Sequence, residues 1–149
     1  MSEIKEKDIV NHIIKNWNNY FSDLTFWKTE YSLRNFRVDI AAYFDANLKD
    51  FNIREEDYWC KPTVFFEVKH NSEMRDLIFE LEKQIKFRDW YINVNKALVV
   101  IAVILDDYSD SDIIDYLKKN NIMMYQYFIE NDNINTLQIK EYKQTIELI

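Results

Sequence analysis

Thr63-Val64-Phe65-Phe66-Glu67-Val68-Lys69 decides how this chain folds. Its β-branched and aromatic content is that of a central strand, a segment that packs well on a pleated, half-buried surface. Yet it closes on a carboxylate and an ammonium two positions apart. Side chains at that spacing share one face of a strand and stand roughly 7 Å apart along it. Burying an ion in apolar surroundings costs several kcal/mol unless it is paired or solvated. A strand this apolar that carries Glu67 and Lys69 on one face therefore points to a use for them. The spacing alone is common, since Glu3-Lys5 and Glu141-Lys143 repeat it. Only Glu67-Lys69 follows a run as apolar as Val64-Phe65-Phe66.

Upstream, Phe36-Arg37-Val38-Asp39-Ile40-Ala41-Ala42-Tyr43-Phe44 also reads as a strand, and Asp39 interrupts it. Aspartate is disfavoured in strand interiors, and Ala41 on the same face leaves room beside it. If this strand pairs with 63–69, Asp39 and Glu67 can converge on one divalent cation. Two carboxylates, completed by waters and substrate oxygens, suit Mg²⁺, a hard ion that takes few protein ligands; Mn²⁺ is the natural substitute. Lys69 would then lie beside the attacking water or a phosphate oxygen. The simpler readings are a salt bridge for Glu67 and Lys69, worth about 0–1 kcal/mol on a half-exposed sheet, and a turn or edge position for Asp39.

The rest of the chain supplies the frame. Residues 4–21 read as an amphipathic helix with Val10, Ile13, Ile14, Trp17 and Phe21 on one stripe. Residues 24–31 form a further strand, and 45–61 are a polar connection ending at Pro62. Asn71 or Ser72 can cap a long helix running to about Ile92, with Met74, Leu77, Ile78, Leu81, Ile85 and Ile92 as its stripe. Ala97 to Leu105 is an apolar run too short for a typical helix and reads as a buried strand. Ser109 to Asp112 resembles a capping box before a helix to Lys119, and 122–129 and 137–142 are two more strands. The order is α-β-β-β-α-β followed by α-β-β: an α/β fold with a mixed central sheet flanked by helices.

An acidic residue closing a first β-hairpin, then Glu-x-Lys on the next strand, then a helix, resembles the PD-(D/E)XK, or restriction-endonuclease-like, nucleases. "Arg37-Val38-Asp39-Ile40" followed by "Phe66-Glu67-Val68-Lys69" is most similar to the Mrr-type and Holliday-junction-resolvase-like branch. The resemblance spans about residues 3–105, the αβββαβ core, and leaves 106–149 as a C-terminal αββ extension of the same single domain. It implies an endonuclease that hydrolyses phosphodiester bonds, with Asp39, Glu67 and the backbone carbonyl of Val68 on Mg²⁺ and Lys69 positioning the water. Val38 stands where the family has a proline, and the glycine common near that turn is missing. Many members add a glutamate on the first helix; Glu6 and Glu3 both fall within the apolar stripe, and Glu6 lies deeper in the helix. RecB-like relatives carry Gln-x3-Tyr on the second helix. Here Gln84 has Arg88 at that place and Tyr91 one turn later, a ridge at i, i+4, i+7 that could contact phosphate, the alternative being a helix-edge packing position. His70 points to the opposite face from Lys69.

At 149 residues the chain suits one domain. With 48% apolar, 30% charged and 16% aromatic residues it is neither disordered nor a coiled coil. The single Cys60 excludes an internal disulfide and suits a reducing compartment. A charged start and no apolar run longer than nine residues predict a cytoplasmic, soluble protein with no membrane partner. Glycine is absent altogether, which excludes every P-loop and Rossmann cradle. Asn35, Asn71, Asn120-Asn121, Asn131 and Asn133 are expected to take the tight turns instead. Net charge is −7, while residues 61–100 carry seven cations against six anions. Binding of nucleic acid, expected to be DNA, would therefore lean on Mg²⁺ or on a homodimer pooling two basic faces. The strands at 123–129 and 137–142 could build that dimer or merely extend the sheet. A catalytically inactive nuclease-fold binding or assembly module is the alternative function, favoured by the −7 charge.

Overall fold

A computed structural model of the chain describes residues 4–33, 36–44, 64–70, 74–94, 99–105 and 111–141. The elements are α1 (Glu6–Lys15), α2 (Trp17–Tyr20), β1 (Leu24–Leu33), β2 (Phe36–Phe44), β3 (Val64–Lys69), α3 (Met74–Val94), β4 (Val99–Leu105), α4 (Ser111–Lys119), β5 (Met123–Phe128), a 3₁₀ turn (Ile134–Thr136) and β6 (Gln138–Glu141). Apart from α2 and the 3₁₀ turn, this is the order read from the sequence. The six strands form one sheet in the order β1-β2-β3-β4-β5-β6. β1, β2 and β3 pair antiparallel, β3, β4 and β5 parallel, and β6 closes the sheet antiparallel to β5. No described helix is long and apolar enough to cross a membrane.

Period-2 alternation divides the core between the two faces. Ile40, Ala42, Val64, Phe66, Val68, Ile101 and Val103 meet Ile9, Ile13, Trp17 and Phe21 from α1, α2 and the residue that follows α2. Across the sheet, Val100, Ala102 and Ile104 meet Leu77 and Leu81 of α3 and Ile113 and Leu117 of α4. The first helix breaks where one continuous helix over 4–21 was expected. Asn16, at φ −113° and ψ 28°, ends α1, and its side-chain amide donates to the His12 carbonyl at 2.9 Å. A short amide that bonds local backbone competes with helix continuation. The break lets Trp17 and Phe21 both reach Phe66, with ring centroids at 5.6 and 4.8 Å. The Trp17 indole N–H, which must also be satisfied on burial, donates to the Leu24 carbonyl at 2.8 Å.

Asparagine takes the left-handed turns only in part. Asn121 and Asn131 have positive φ, as expected, but Asp132, not Asn133, is the next such residue; Asn133 sits at φ −100° and its side chain accepts from Asn135. Asn120 is not among the positive-φ residues, and its side chain instead donates to the Tyr116 carbonyl, closing α4. Asn35, Asn71 and Ser72 lie outside the described residues, as do Cys60 and the connection 45–61. Glu30, at φ 47°, is the surprise. It lies within β1 between the pairs Thr29↔Ile40 and Tyr31↔Val38, and so falls opposite Asp39. A non-glycine residue held at positive φ is strained and needs surrounding structure to hold it there. β5 and β6 extend the sheet, and Met124 and Tyr127 are buried within the chain.

Candidate functional site

The β2–β3 ladder runs from Ala42↔Val64 to Ile40↔Phe66. One step further in that register brings Asp39 level with Glu67. There the backbone pairing gives way, and the Asp39 side chain takes the place of a strand partner: its Oδ2 accepts the Val68 N–H at 2.7 Å. On β3, Phe65, Glu67 and Lys69 share the face covered by α3. Glu67 is only 4% exposed. Its Oε2 accepts from the Gln84 amide at 2.8 Å, and its Oε1 lies 3.5 Å from the Lys69 ammonium. Asp39 and Glu67 stand close enough for each carboxyl to perturb the ionisation of the other.

The electrostatics follow from this crowding. Burial raises the Asp39 carboxyl to about 6, helped by nearby Glu6 and opposed by the Val68 N–H, Lys69 and Glu67. Glu67 is pushed well above the usual carboxylate range, first by burial and then by Asp39, against the pull of Lys69 and Gln84. Burial would lower Lys69, but Glu67, Glu6 and Asp39 together outweigh it and hold the ammonium above its ordinary value. Like-charged carboxyls brought together out of water, with a cation beside them, form the kind of group whose pKa values mark candidate functional sites.

Glu6 belongs to this neighbourhood. It reaches the end of β3 from α1, where its Oε1 accepts the His70 N–H at 3.2 Å. Gln84 lies on the buried face of α3, between Leu81 and Arg88, where the sequence allowed it only a place beside the apolar stripe. Its Nε2 is committed to Glu67, and its Oε1 is buried with no hydrogen-bond partner among the described residues. Arg88 is turned elsewhere: Nη1 donates to the Asn121 carbonyl at 3.2 Å, and Nε lies 3.6 Å from Asp89. The Tyr91 side chain lies outside the described residues. Among those residues, no group of three or more His, Cys, Asp or Glu side chains is placed to hold a metal ion by itself.

The other histidine and the tryptophans of the described sheet and α3 fall outside the site. His12 bonds Tyr20 through Nε2 at 3.2 Å. Trp27 packs against Tyr31 and Tyr43, and Trp90 is 58% exposed beside Phe87. Trp59 is outside the described residues. Sequence reasoning missed Tyr127. Its hydroxyl donates to the Lys69 carbonyl at 2.9 Å and lies 2.7 Å from His70 Nδ1. Only the alternation that buries Tyr127 in β5 was legible; its partner, 58 residues away in sequence, was not.

No protein-family model matches the chain, and no curated protein matches it in sequence. Among solved structures it is similar to a complex of EndoMS with double-stranded DNA. The TM-score is 0.58 and the identity 12%, over 83% of this chain and 44% of that one. The chain thus spans less than half the length of that protein. At this identity the likeness shows the fold alone: a mixed α/β architecture with a six-stranded sheet flanked by helices.

Proposed function

We propose that this chain is a Mg²⁺-dependent nuclease of the restriction-endonuclease-like kind, hydrolysing phosphodiester bonds in DNA. The observation that carries the reading is the convergence of Asp39 and Glu67, each held by a hydrogen bond from Val68 or Gln84, with the Lys69 ammonium alongside. The donor set fits a divalent ion of the hard type. Asp39, Glu67 and the Val68 carbonyl would hold it, and waters and substrate oxygens would complete its shell. Two carboxyls crowded together out of water, and a buried Gln84 Oε1 with no donor among the described residues, support that fit. When bound, the ion would lower the pKa of a water and offset charge growing on the phosphate.

The chain's own groups do the rest. Lys69 presents a fixed positive charge to the oxygens on which negative charge develops, where a preorganised charge stabilises the transition state. Gln84 keeps Glu67 in place and offers Oε1 to a water. Glu6, tied to the His70 amide, adds a third carboxylate to the field around Lys69. Arg88 and Tyr91 remain proposed phosphate contacts, Arg88 only if it exchanges its bond to Asn121 for one to the substrate. DNA is favoured because the EndoMS protein of the same fold was solved with double-stranded DNA. Cutting both strands of a duplex needs two such sites, which a homodimer would supply by two-fold symmetry.

The net charge of −7 favours a second reading, a non-cleaving module that binds a partner. Incubating supercoiled plasmid with the protein and Mg²⁺ or Mn²⁺ separates the two. Nicking or linearisation by the wild type, abolished in Glu67→Ala and by chelation, is expected. Equal activity in Glu67→Ala, or none in the wild type with either ion, would return the site to a structural ion pair.

A further inference from the structure

The peptide that joins Lys69 to His70 is gripped at both polar ends. Its N–H donates to Glu6 Oε1 from α1 at 3.2 Å. Its C=O accepts from the hydroxyl of Tyr127, on β5, at 2.9 Å. Tyr127 is completely buried, and the same hydroxyl lies 2.7 Å from His70 Nδ1. A phenol has a single proton to give, whereas a carbonyl oxygen can only accept. If the proton went to His70, two oxygens would face each other lone pair to lone pair at 2.9 Å, and the part-buried Lys69 carbonyl would lose this donor. The proton therefore goes to Lys69. The hydroxyl must then accept from His70, so Nδ1 carries a hydrogen.

We propose that Tyr127 is a positioning residue for Lys69. It anchors the Lys69 carbonyl directly and holds His70 through the Nδ1–H tautomer, while Glu6 holds the same peptide from the opposite side. The need for such a clasp follows from the sheet. On its β2 side β3 loses its strand partner after Phe66, just where Glu67, Val68 and Lys69 begin. A strand end freed on one side leaves the direction of its side chains loosely set, and small misplacements of a catalytic group are costly in rate. Tyr127 makes good that loss from two strands away, and gives the C-terminal part of the chain a task in the site. The positioning role rests on Lys69 acting in the proposed reaction; the tautomer and the clasp do not.

Nitrogen-15 spectra of the His70 ring at mildly alkaline pH test the tautomer in the wild-type protein. A protonated Nδ1 and an unprotonated Nε2 are expected, and a hydrogen on Nε2 alone would overturn the proposal. Tyr127→Phe keeps the ring and removes only the hydroxyl. In that variant the His70 tautomer should revert to Nε2–H, and amide exchange at His70 should rise about tenfold as the grip loosens. If the wild type cleaves DNA, kcat should fall about tenfold or more with KM little changed. An unaltered tautomer and exchange rate, or an unaltered kcat, would remove Tyr127 from any positioning role. If the wild type cleaves nothing, the nuclease reading fails, while the tautomer and exchange measurements still decide the clasp.

Discussion

The raised carboxyls make a claim about stability that needs no substrate. Asp39 has a folded-state pKa of about 6 against an ordinary 3.8, so the folded chain holds its proton more tightly than the unfolded one. Its stabilising contribution is complete below the ordinary value and is lost as pH rises through about 6. Each unit of difference is worth about 1.4 kcal/mol. The loss attributable to Asp39 between about pH 5 and about pH 8 is therefore about 1–2 kcal/mol. For a domain of this size that is a fall of roughly 3–6 °C in Tm. His12 works in the opposite direction, because burial and Lys15 lower its pKa, and its stabilisation grows as pH rises. Comparing metal-free wild type with Asp39→Asn cancels His12, since both proteins carry it. Denaturant unfolding of the two at several pH values is the assay. The wild type should lose about 1–2 kcal/mol more than Asp39→Asn over that window. If the proposed site takes Mg²⁺, saturating ion should flatten the difference by competing with the proton for the same oxygens. Parallel curves for the two proteins, or a wild type that gains on the variant as pH rises, would refute the picture of two carboxyls crowded out of water.

Other substitutions test the remaining parts. Lys69→Ala should lower kcat for plasmid cleavage by about 10²–10³ while leaving DNA binding nearly intact, as nicking rates and gel shifts would show; an unchanged kcat would strip Lys69 of its role. Glu6→Ala should weaken cleavage and speed exchange of the His70 amide, and undiminished cleavage and metal affinity would leave Glu6 as a backbone cap alone. Trp17→Phe removes the donor to the part-buried Leu24 carbonyl and should cost about 1 kcal/mol or more in denaturant unfolding, with no effect on metal affinity; a neutral result would show that water reaches that carbonyl.

Much of the frame was legible because it is local. The β-branched and aromatic run of β3, the interruption of β2 by Asp39 and the stripe of α1 each record burial within a few residues. The pairing of β2 with β3, on which the meeting of Asp39 and Glu67 was conditional, is present in the sheet. What could not be read is what depends on contacts distant in sequence. Gln84 reads as a phosphate contact or a helix-edge packing position until its bond to Glu67 is known. Tyr127 reads as core until the Lys69 carbonyl and His70 are known to lie at its hydroxyl. The break at Asn16 escaped for the converse reason: the apolar stripe runs through it, and a hydrogen bond within one helical turn overrides the pattern.

The order of the sheet bears on how the site comes to exist at all. Strands that neighbour one another in space are also successive in sequence, from β1 through β6. No strand has to be threaded between two that are already paired, and each new one can add to a waiting edge. Asp39, Glu67, Lys69 and Gln84 all lie within the first three strands and α3, so an N-terminal-first chain can bring them together early. Tyr127 arrives two strands later. The carboxyls can thus meet before the last hydrogen bond at the end of β3 is available, and completing the sheet is also the step that finishes the site.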